Sequence, residues 1–279
     1  MRTLKQDDAD AAKFLRLIPR YADSLRESDT PFFLIVDDTW VRALISIHIE
    51  PYYFLGPAGS KLGRLTILNP DLEYLDQVLN AAHGIVKSEQ LHYLIYSESM
   101  IPDELKQVLE KHQFHLVDHA YSMFVDIDIP PEPPEGITFQ PMDIKKRDKI
   151  LELQTAIYES TDDEANPIIQ RNLLTLSDED LDSIFNEDTT FLALQGEVVV
   201  GIVVISVEQG VLMSIAVKPE FRKRGIARKL LKFALIRLKE LGWGRVYLRV
   251  HAKNMPAIKL YESFGFELES ESMSYVFYP

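Results

Sequence analysis

The chain has 279 residues, 46% of them hydrophobic, and its formal net charge is −13. Length and composition predict a globular protein with enough apolar residues for two cores, and the absence of cysteine excludes disulfides, thiolate catalysis and cysteine-based metal sites. An acidic total argues against nucleic acid as the main partner, because phosphate-backbone binding needs a broad basic face.

No apolar run reaches the ~18 residues that a membrane span needs. The first residues also turn acidic where a signal peptide would turn apolar. We therefore expect a soluble cytoplasmic protein that does not bind membranes.

In the first half of the chain we predict strands at residues 65–68, 91–96 and 121–125. A proline-rich polar segment follows at residues 130–136, and it cannot continue a strand or a helix. We interpret residues 129–136 as a linker between two domains, 1–128 and 137–279.

The second half begins with a strand-like segment at residues 137–140, then helical patterns at 144–158 and 168–185 around an acidic loop, 160–164. Further strands are predicted at residues 191–194, 198–207, 211–217 and 245–251, with hairpin turns at 195–197 and 208–210. A helix at 257–263 and strand material at 266–278 close the chain.

Residues 218–239 form a basic segment, with nine of the chain's thirty Lys and Arg residues and one acid, Glu220. Gly225 separates the preceding strand from a run with apolar residues at helical spacing, namely Ile226, Leu230, Ala234, Leu235 and Leu238. The first N–H groups of a helix lack intrahelical partners and lie at its positive end, so this strand–turn–helix order predicts a diphosphate site. The alternative is a solvated basic helix behind an ordinary turn.

Short similar segments occur in the same order in both halves. Residues 65–71 align with 214–220, 91–96 with the strand at 245–250, and Gln113-Phe114 with Gly265-Phe266. The first half is five residues shorter across the part that corresponds to the basic segment. We interpret it as a degenerate copy without the anion site, and the alternative is chance similarity.

The pattern Arg222-x-x-Gly225-x-Ala227 before a helix, with Asn254, Tyr261 and Gly265-Phe266 downstream, resembles the GCN5-related N-acetyltransferase (GNAT) superfamily. The resemblance covers residues ~136–279. It implies an α/β fold with two tandem GNAT-like domains, each a mixed, mostly antiparallel sheet flanked by helices, with a splayed central strand pair. It also implies transfer of an acetyl group from acetyl-CoA to a primary amine of a small molecule or protein, without a metal.

The same resemblance implies roles for individual residues. The backbone at Ile215, Ala216 and Val217 would hold the pantetheine arm and the thioester, Asn254 would contact the cofactor or order the loop, and Tyr261 would be the general acid at the sulfur. The pyrophosphate would lie against the turn and helix start, formed by Arg222, Lys223, Arg224, Gly225, Ile226, Ala227 and Arg228. Two alternatives stay open, since Tyr261 could be plain core and Asn254 could merely cap a helix.

The general base is not identified. An alkyl amine with a pKa of ~10.4 is almost wholly protonated at pH 7 and must lose a proton before attack. Many family members carry a carboxylate on the strand before the turn, but residues 211–217 offer only Ser214 and apolar side chains. Weak candidates are Glu208, His251, a water chain or a carboxylate of the acidic loop. The loop's Asp162, Asp163 and Glu164 would also favour a cationic acceptor, unless they are simply solvated.

Two other functions compete with acyl transfer. The missing strand carboxylate favours a non-catalytic acyl-CoA-binding sensor or interaction protein. Nucleic-acid binding through the basic helix is disfavoured by the net charge and by the lack of interleaved aromatic residues. The acceptor, the acyl chain and the choice between monomer and homodimer cannot be predicted from the sequence.

Overall fold

The computed structural model describes residues 32–36, 41–51, 61–68, 72–128, 132–142 and 188–279. The chain divides into two compact units. Unit 1 comprises Met1–Asp118 and Met273–Pro279, and unit 2 comprises His119–Ser272. The helices predicted at 144–158 and 168–185 and the acidic loop at 160–164 lie outside the described residues.

Unit 1 is built on a mixed sheet. Strands β1, β2 and β3 pair antiparallel, β4 joins β3 in parallel, and the end of β11 pairs antiparallel with β4. The elements are β1 (Phe32–Val36), β2 (Val41–Pro51), β3 (Lys61–Leu68), α1 (Leu72–Ser88), β4 (Tyr93–Glu98), α2 (Asp103–Lys111), the start of β5 (Phe114–Asp126) and the end of β11 (Glu267–Phe277). Its core combines buried residues of α1 and α2 with those of the strands, including Leu75, Leu79, Leu105 and Leu109.

In unit 2, six strands of a mixed sheet follow one another in the order β5-β10-β9-β8-β7-β6 among the described residues. Only β9 and β10 are parallel neighbours, and every other pair is antiparallel. The elements after β5 are β6 (Thr138–Pro141), β7 (Thr190–Gln195), β8 (Val198–Ser206), β9 (Val211–Val217), a 3₁₀ turn (Pro219–Phe221), α3 (Ile226–Glu240), β10 (Arg245–His251) and α4 (Met255–Glu262). The predicted α/β fold with a mixed sheet flanked by helices is confirmed.

Helix α3 buries the apolar face that the sequence predicts, with Ile226, Leu230 and Leu235 each at most 4% exposed. It ends where Gly242 adopts a left-handed conformation with φ +95°. There the Trp243 N–H donates to the Leu238 carbonyl at 3.0 Å, which satisfies one of the last carbonyls of the helix. The position of helix α3 is therefore fixed by its buried apolar face, and its end by the backbone bond of Trp243.

Helix α1 of unit 1 ends in the same way. Gln90 has φ +54°, and the Leu91 N–H donates to the Val86 carbonyl at 2.9 Å. Among the described residues, the order of three antiparallel strands, a helix, a parallel strand and a second helix occurs in both units, as β1-β2-β3-α1-β4-α2 and as β7-β8-β9-α3-β10-α4, and β6 precedes it in unit 2. The interpretation of the first half as a degenerate copy stays a proposal.

The two units are not separated at a single position in the sequence, because unit 1 contains both ends of the chain. β5 pairs with β10 over residues 120–126, inside unit 2, whereas β11 pairs with β4 over residues 273–277, inside unit 1. Tyr275, Val276 and Phe277 are buried in unit 1, so a fragment that ends at residue 128 would lack part of this core. The predicted domains 1–128 and 137–279 remain a prediction about segments of the chain.

Candidate functional site

Strand β9 carries a β-bulge that separates it from β10. Its register with β8 skips Met213, which is therefore an extra residue on β9. β9 pairs with β10 only through Val211 and Leu212, although it continues to Val217. The two central strands therefore diverge toward their carboxyl ends, which confirms the predicted splayed pair for unit 2.

The divergence leaves part of the β9 backbone facing a cleft. The Lys218 N–H donates to the Val200 carbonyl of β8 at 3.0 Å. Because hydrogen-bonded and non-bonded pairs alternate along an antiparallel ladder, Ile215 and Val217 direct their backbone N–H and C=O groups away from β8. The Val217 carbonyl accepts a hydrogen bond from Arg222 Nε at 3.2 Å, which ties the following turn to the strand.

The turn between β9 and α3 contains two residues in the left-handed region, Lys223 with φ +60° and Gly225 with φ +76°. A glycine adopts this conformation freely, whereas a lysine is strained there. Among the described residues, no side chain caps the start of α3, so the N–H groups of Ile226 and its neighbours are available to bind an anion. A Cβ atom built on Gly225 would meet none of the described atoms within 4 Å.

The cleft, the turn and helices α3 and α4 surround a cavity of about 580 Å³ within unit 2. Every residue predicted to bind the cofactor lines this cavity except Arg224. The other lining residues are Phe221, Pro256, Ala257, Leu260 and Tyr261. The walls are mostly apolar, and the charged side chains among the lining residues are all basic.

Tyr261 belongs to both the cavity and the core. Its side chain is 9% exposed, it lines the cavity, and its ring centroid lies 5.7 Å from that of Phe266. The two interpretations of Tyr261 therefore do not exclude each other.

Asn254 also fits both of its interpretations. It lines the cavity, and its Oδ1 accepts a hydrogen bond from the Ala257 N–H at 3.2 Å. This bond caps α4, as the structural alternative predicted.

The basic segment separates into two groups. Arg222, Lys223 and Arg228 line the cavity. Lys229 and Lys239 instead donate their ammonium groups to the carbonyls of Glu135 and Ile127, at 2.7 and 2.6 Å. These two lysines bind α3 to the residues just before the proline-rich segment and to the end of that segment, a role that their spacing in the sequence did not reveal.

Two arginines of the turn and helix, Arg224 and Arg228, contact aromatic rings. Arg224 lies over the ring of Phe221 at 5.3 Å. Arg228 lies over the ring of Phe264 at 4.9 Å and donates to Ser263 Oγ at 2.8 Å. Arg228 therefore connects the start of α3 to the end of α4 at the cavity.

Of the candidate bases, the two that lie among the described residues, Glu208 and His251, do not line the cavity. Glu208 is exposed in the hairpin turn before β9, at the opposite end of that strand from the basic turn. His251 ends β10, and its Nδ1 accepts a hydrogen bond from the Lys253 N–H at 3.3 Å. In a neutral ring this bond leaves the proton on Nε2, where it is a donor and not a base. Asp162, Asp163 and Glu164 lie outside the described residues.

Unit 1 lacks the two features that form the cleft. β3 pairs with β2 without a register shift and stays paired with β4 from Leu62 to Leu65. Three residues separate β3 from α1, whereas eight separate β9 from α3. The five-residue deficit predicted from the sequence therefore falls between the strand and the helix.

Comparison with known proteins adds independent findings. The sequence model of the Acetyltransferase (GNAT) family matches residues 148–266. A ribosomal-protein alanine N-acetyltransferase of Salmonella typhimurium is 40% identical over 62 residues, which cover 22% of this chain and 42% of that protein. The chain thus spans less than half the length of this curated relative.

Solved structures resemble the whole chain. A GCN5-related N-acetyltransferase from Sphaerobacter thermophilus has a TM-score of 0.59 at 17% identity, covering 99% of this chain and 94% of that one. A tandem GNAT protein from the clavulanic acid biosynthesis pathway has a TM-score of 0.50 at 13% identity, covering 99% and 97%. At such identities these likenesses establish the fold alone.

Proposed function

We propose that this chain transfers an acetyl group from acetyl-CoA to a primary amine, as the resemblance of its turn motif implies, and the match of residues 148–266 to the Acetyltransferase (GNAT) family model supports this. The observation that carries the proposal is the cleft of unit 2. There a bulged strand, an uncapped helix start and a basic turn meet in one cavity. Among the described residues, no helix is long and apolar enough to cross a membrane.

The residues around the cavity fit acyl-CoA. The N–H groups at the start of α3, together with Arg222, Lys223 and Arg228, would hold the pyrophosphate. The outward backbone groups of Ile215 and Val217 would hold the pantetheine amides by strand-like hydrogen bonds. Bound in this way, the cofactor supplies an acyl group activated as a thioester.

Tyr261 is proposed as the proton donor to the departing sulfur, because it is the phenol that lines the cavity. A thiol with a pKa near ~8.5 leaves readily, so this donor is expected to contribute at the low end of ~10²–10⁴-fold. Among the described residues, neither a carboxylate nor an imidazole lines the cavity. The proton of the amine must therefore pass to water or to a group outside the described ranges.

The test is release of free CoA from acetyl-CoA in the presence of amines. The panel should contain a polyamine, an aminoglycoside, a lysine derivative and a peptide with a free α-amino group on alanine. The peptide is included because the relative from Salmonella is named for alanine N-acetylation. Amine-dependent release that a Gly225→Glu variant abolishes supports the proposal, and CoA binding without release on any acceptor contradicts it.

A second candidate is a sensor that binds acyl-CoA without turnover. The absence of a base among the described cavity residues favours it. Its expected signature is tight CoA binding with no acceptor-dependent product across the panel. Mass spectrometry of the purified protein, by detecting co-purified CoA, tests the binding step that both candidates share.

We also propose that residues 1–128 are a degenerate copy of the GNAT fold that binds no CoA. The shared order of elements supports this, as do the pairing of β3 with β2 without a register shift and the presence of only three residues between β3 and α1. The acidic residues Asp162, Asp163 and Glu164 remain proposed contacts for a cationic acceptor. Replacing all three with the corresponding amides should then raise KM for a polyamine more than for a monoamine that carries no second charge.

A further inference from the structure

We infer that unit 1 carries a separate binding site for a small organic anion, in a cavity lined by helices α1 and α2 and by the end of β11. The cavity measures about 380 Å³, which is within the range of small-molecule sites. Nothing in the proposed acyl transfer uses it. The proposal is therefore independent of the cleft in unit 2.

One face of α1 and the end of α2 supply the polar lining. Asn80, His83 and Lys87 are spaced by three and four positions on α1 and share that face. Lys111 and His112 come from the carboxyl end of α2. The lining thus combines ammonium, imidazole and carboxamide groups, and no carboxylate is among the described residues that line it.

The positive charge of the cavity is only partly neutralised. Asp76, one turn before Asn80, accepts from Lys111 Nζ at 2.7 Å and contacts His112 Nε2 at 2.8 Å. The hydrogen bonds from Lys111 and then from His112 lower the pKa of Asp76, so this carboxylate stays ionised. Lys87 has no ion-pair partner among the described residues. Its ammonium group is the charge that a ligand anion would neutralise.

Gln113 also lines the cavity, and its φ of +63° is the left-handed conformation that is usual just after a helix. One further feature indicates a binding site rather than an ordinary pair of helix ends. His83 Nε2 is buried and has no hydrogen-bond partner among the described residues. A buried nitrogen without a partner is costly, and a ligand or an ordered water bound in the cavity would relieve it.

The apolar part of the site defines the ligand class. The ring of His83 stacks on that of Phe277 with centroids 4.0 Å apart and an interplanar angle of 19°. Phe277 also lines the cavity. A ligand that places a planar or apolar group against these rings and a phosphate or carboxylate toward Lys87 would match the lining. The site therefore selects small monoanionic or dianionic organic molecules.

The probe is phenyl phosphate, titrated calorimetrically into the full-length chain in a buffer free of phosphate, with benzyl alcohol as an uncharged analogue. Lys87→Gln removes the unpaired ammonium group, and Lys61→Gln is the matched control, an exposed lysine of unit 1 that does not line the cavity. The basic turn of unit 2 is unchanged in both variants, so any difference between them reports on unit 1. Melting temperatures establish that both variants fold.

We expect Lys87→Gln to weaken binding by about tenfold or more, because a hydrogen bond to a charged group is lost, and Lys61→Gln to leave it unchanged. Asp76→Asn should tighten binding, since it releases Lys111 from its ion pair. Equal affinities for Lys87→Gln and Lys61→Gln, or no difference between phenyl phosphate and benzyl alcohol, would overturn the proposal. Acceptor-dependent CoA release should be the same in all three variants, so failure here is distinguishable from failure of the proposed function.

Discussion

Replacement of Gly225 by Glu tests the anion site directly. Gly225 has φ +76°, and a Cβ atom at this position meets no atom within 4 Å. The added side chain therefore has room in the protein but would occupy the open space beside the helix start. We expect CoA binding to be lost while the fold is kept.

The magnitude has two parts. A non-glycine residue in the left-handed region costs about 1–2 kcal/mol, which corresponds to a melting temperature lower by roughly 2–8 °C. Loss of two charge-assisted hydrogen bonds, at about 1.5–3 kcal/mol each, weakens CoA binding by about 10²-fold or more. Repulsion between the new carboxylate and the pyrophosphate weakens CoA binding further.

The chain offers a matched control for strain and charge. Gly196, in the turn between β7 and β8, has φ +62° and is also without an atom within 4 Å of an added Cβ. Gly196→Glu should lower the melting temperature by a similar amount and leave the CoA affinity measured by calorimetry intact. Equal CoA affinities in the two variants would refute the assignment of the pyrophosphate to this turn.

Four more outcomes are expected. Tyr261→Phe should keep CoA affinity and lower kcat by about 10²-fold, and full kcat would show that the residue only packs. Calorimetry should give one CoA per chain, since two equivalent sites would contradict a degenerate unit 1. Phe277→Ala should destabilise unit 1 by about 3–5 kcal/mol because the ring is buried and stacks on His83, and hydrogen exchange in α1 would report it. Burial, then the charges of His112 and Lys87, lower the pKa of His83, so its contribution to stability is present above the unfolded-state pKa of ~6.5 and is lost as the pH falls below it. Denaturant midpoints at pH 7 and 5 should therefore differ more in the wild type than in His83→Phe.

The strand, turn and helix of the cleft were predictable because their signals are local. The predicted bounds of β9 and β10 agree with the structure at residues 211–217 and 245–251. Gly225 marks a left-handed backbone conformation that other residues adopt only with strain. The spacing of the apolar residues in α3 determines which face of this helix is buried. Each signal acts within a few residues, so the neighbouring sequence is enough to read it.

The bulge at Met213 was not predictable from the pattern. Residues 211–217 are apolar at nearly every position, so the alternation that would reveal a register shift is missing. The capping bond of Asn254, the lysine bonds to the chain around the proline-rich segment and the cavity of unit 1 also join residues from different elements. A single sequence carries little information about such contacts.

The sequence by itself determined where the basic turn lies, which helix follows it, and that the first half lacks five residues at the corresponding place. Only the tertiary structure decided that β9 diverges from β10 and that residues 120–126 of β5 pair with β10 in unit 2. It also decided that Phe277 packs in the core of unit 1. The physical reason is the range of the forces. Turn conformation and helix amphipathicity follow from adjacent residues, whereas strand partners and register follow from which edges are free once the whole chain has folded.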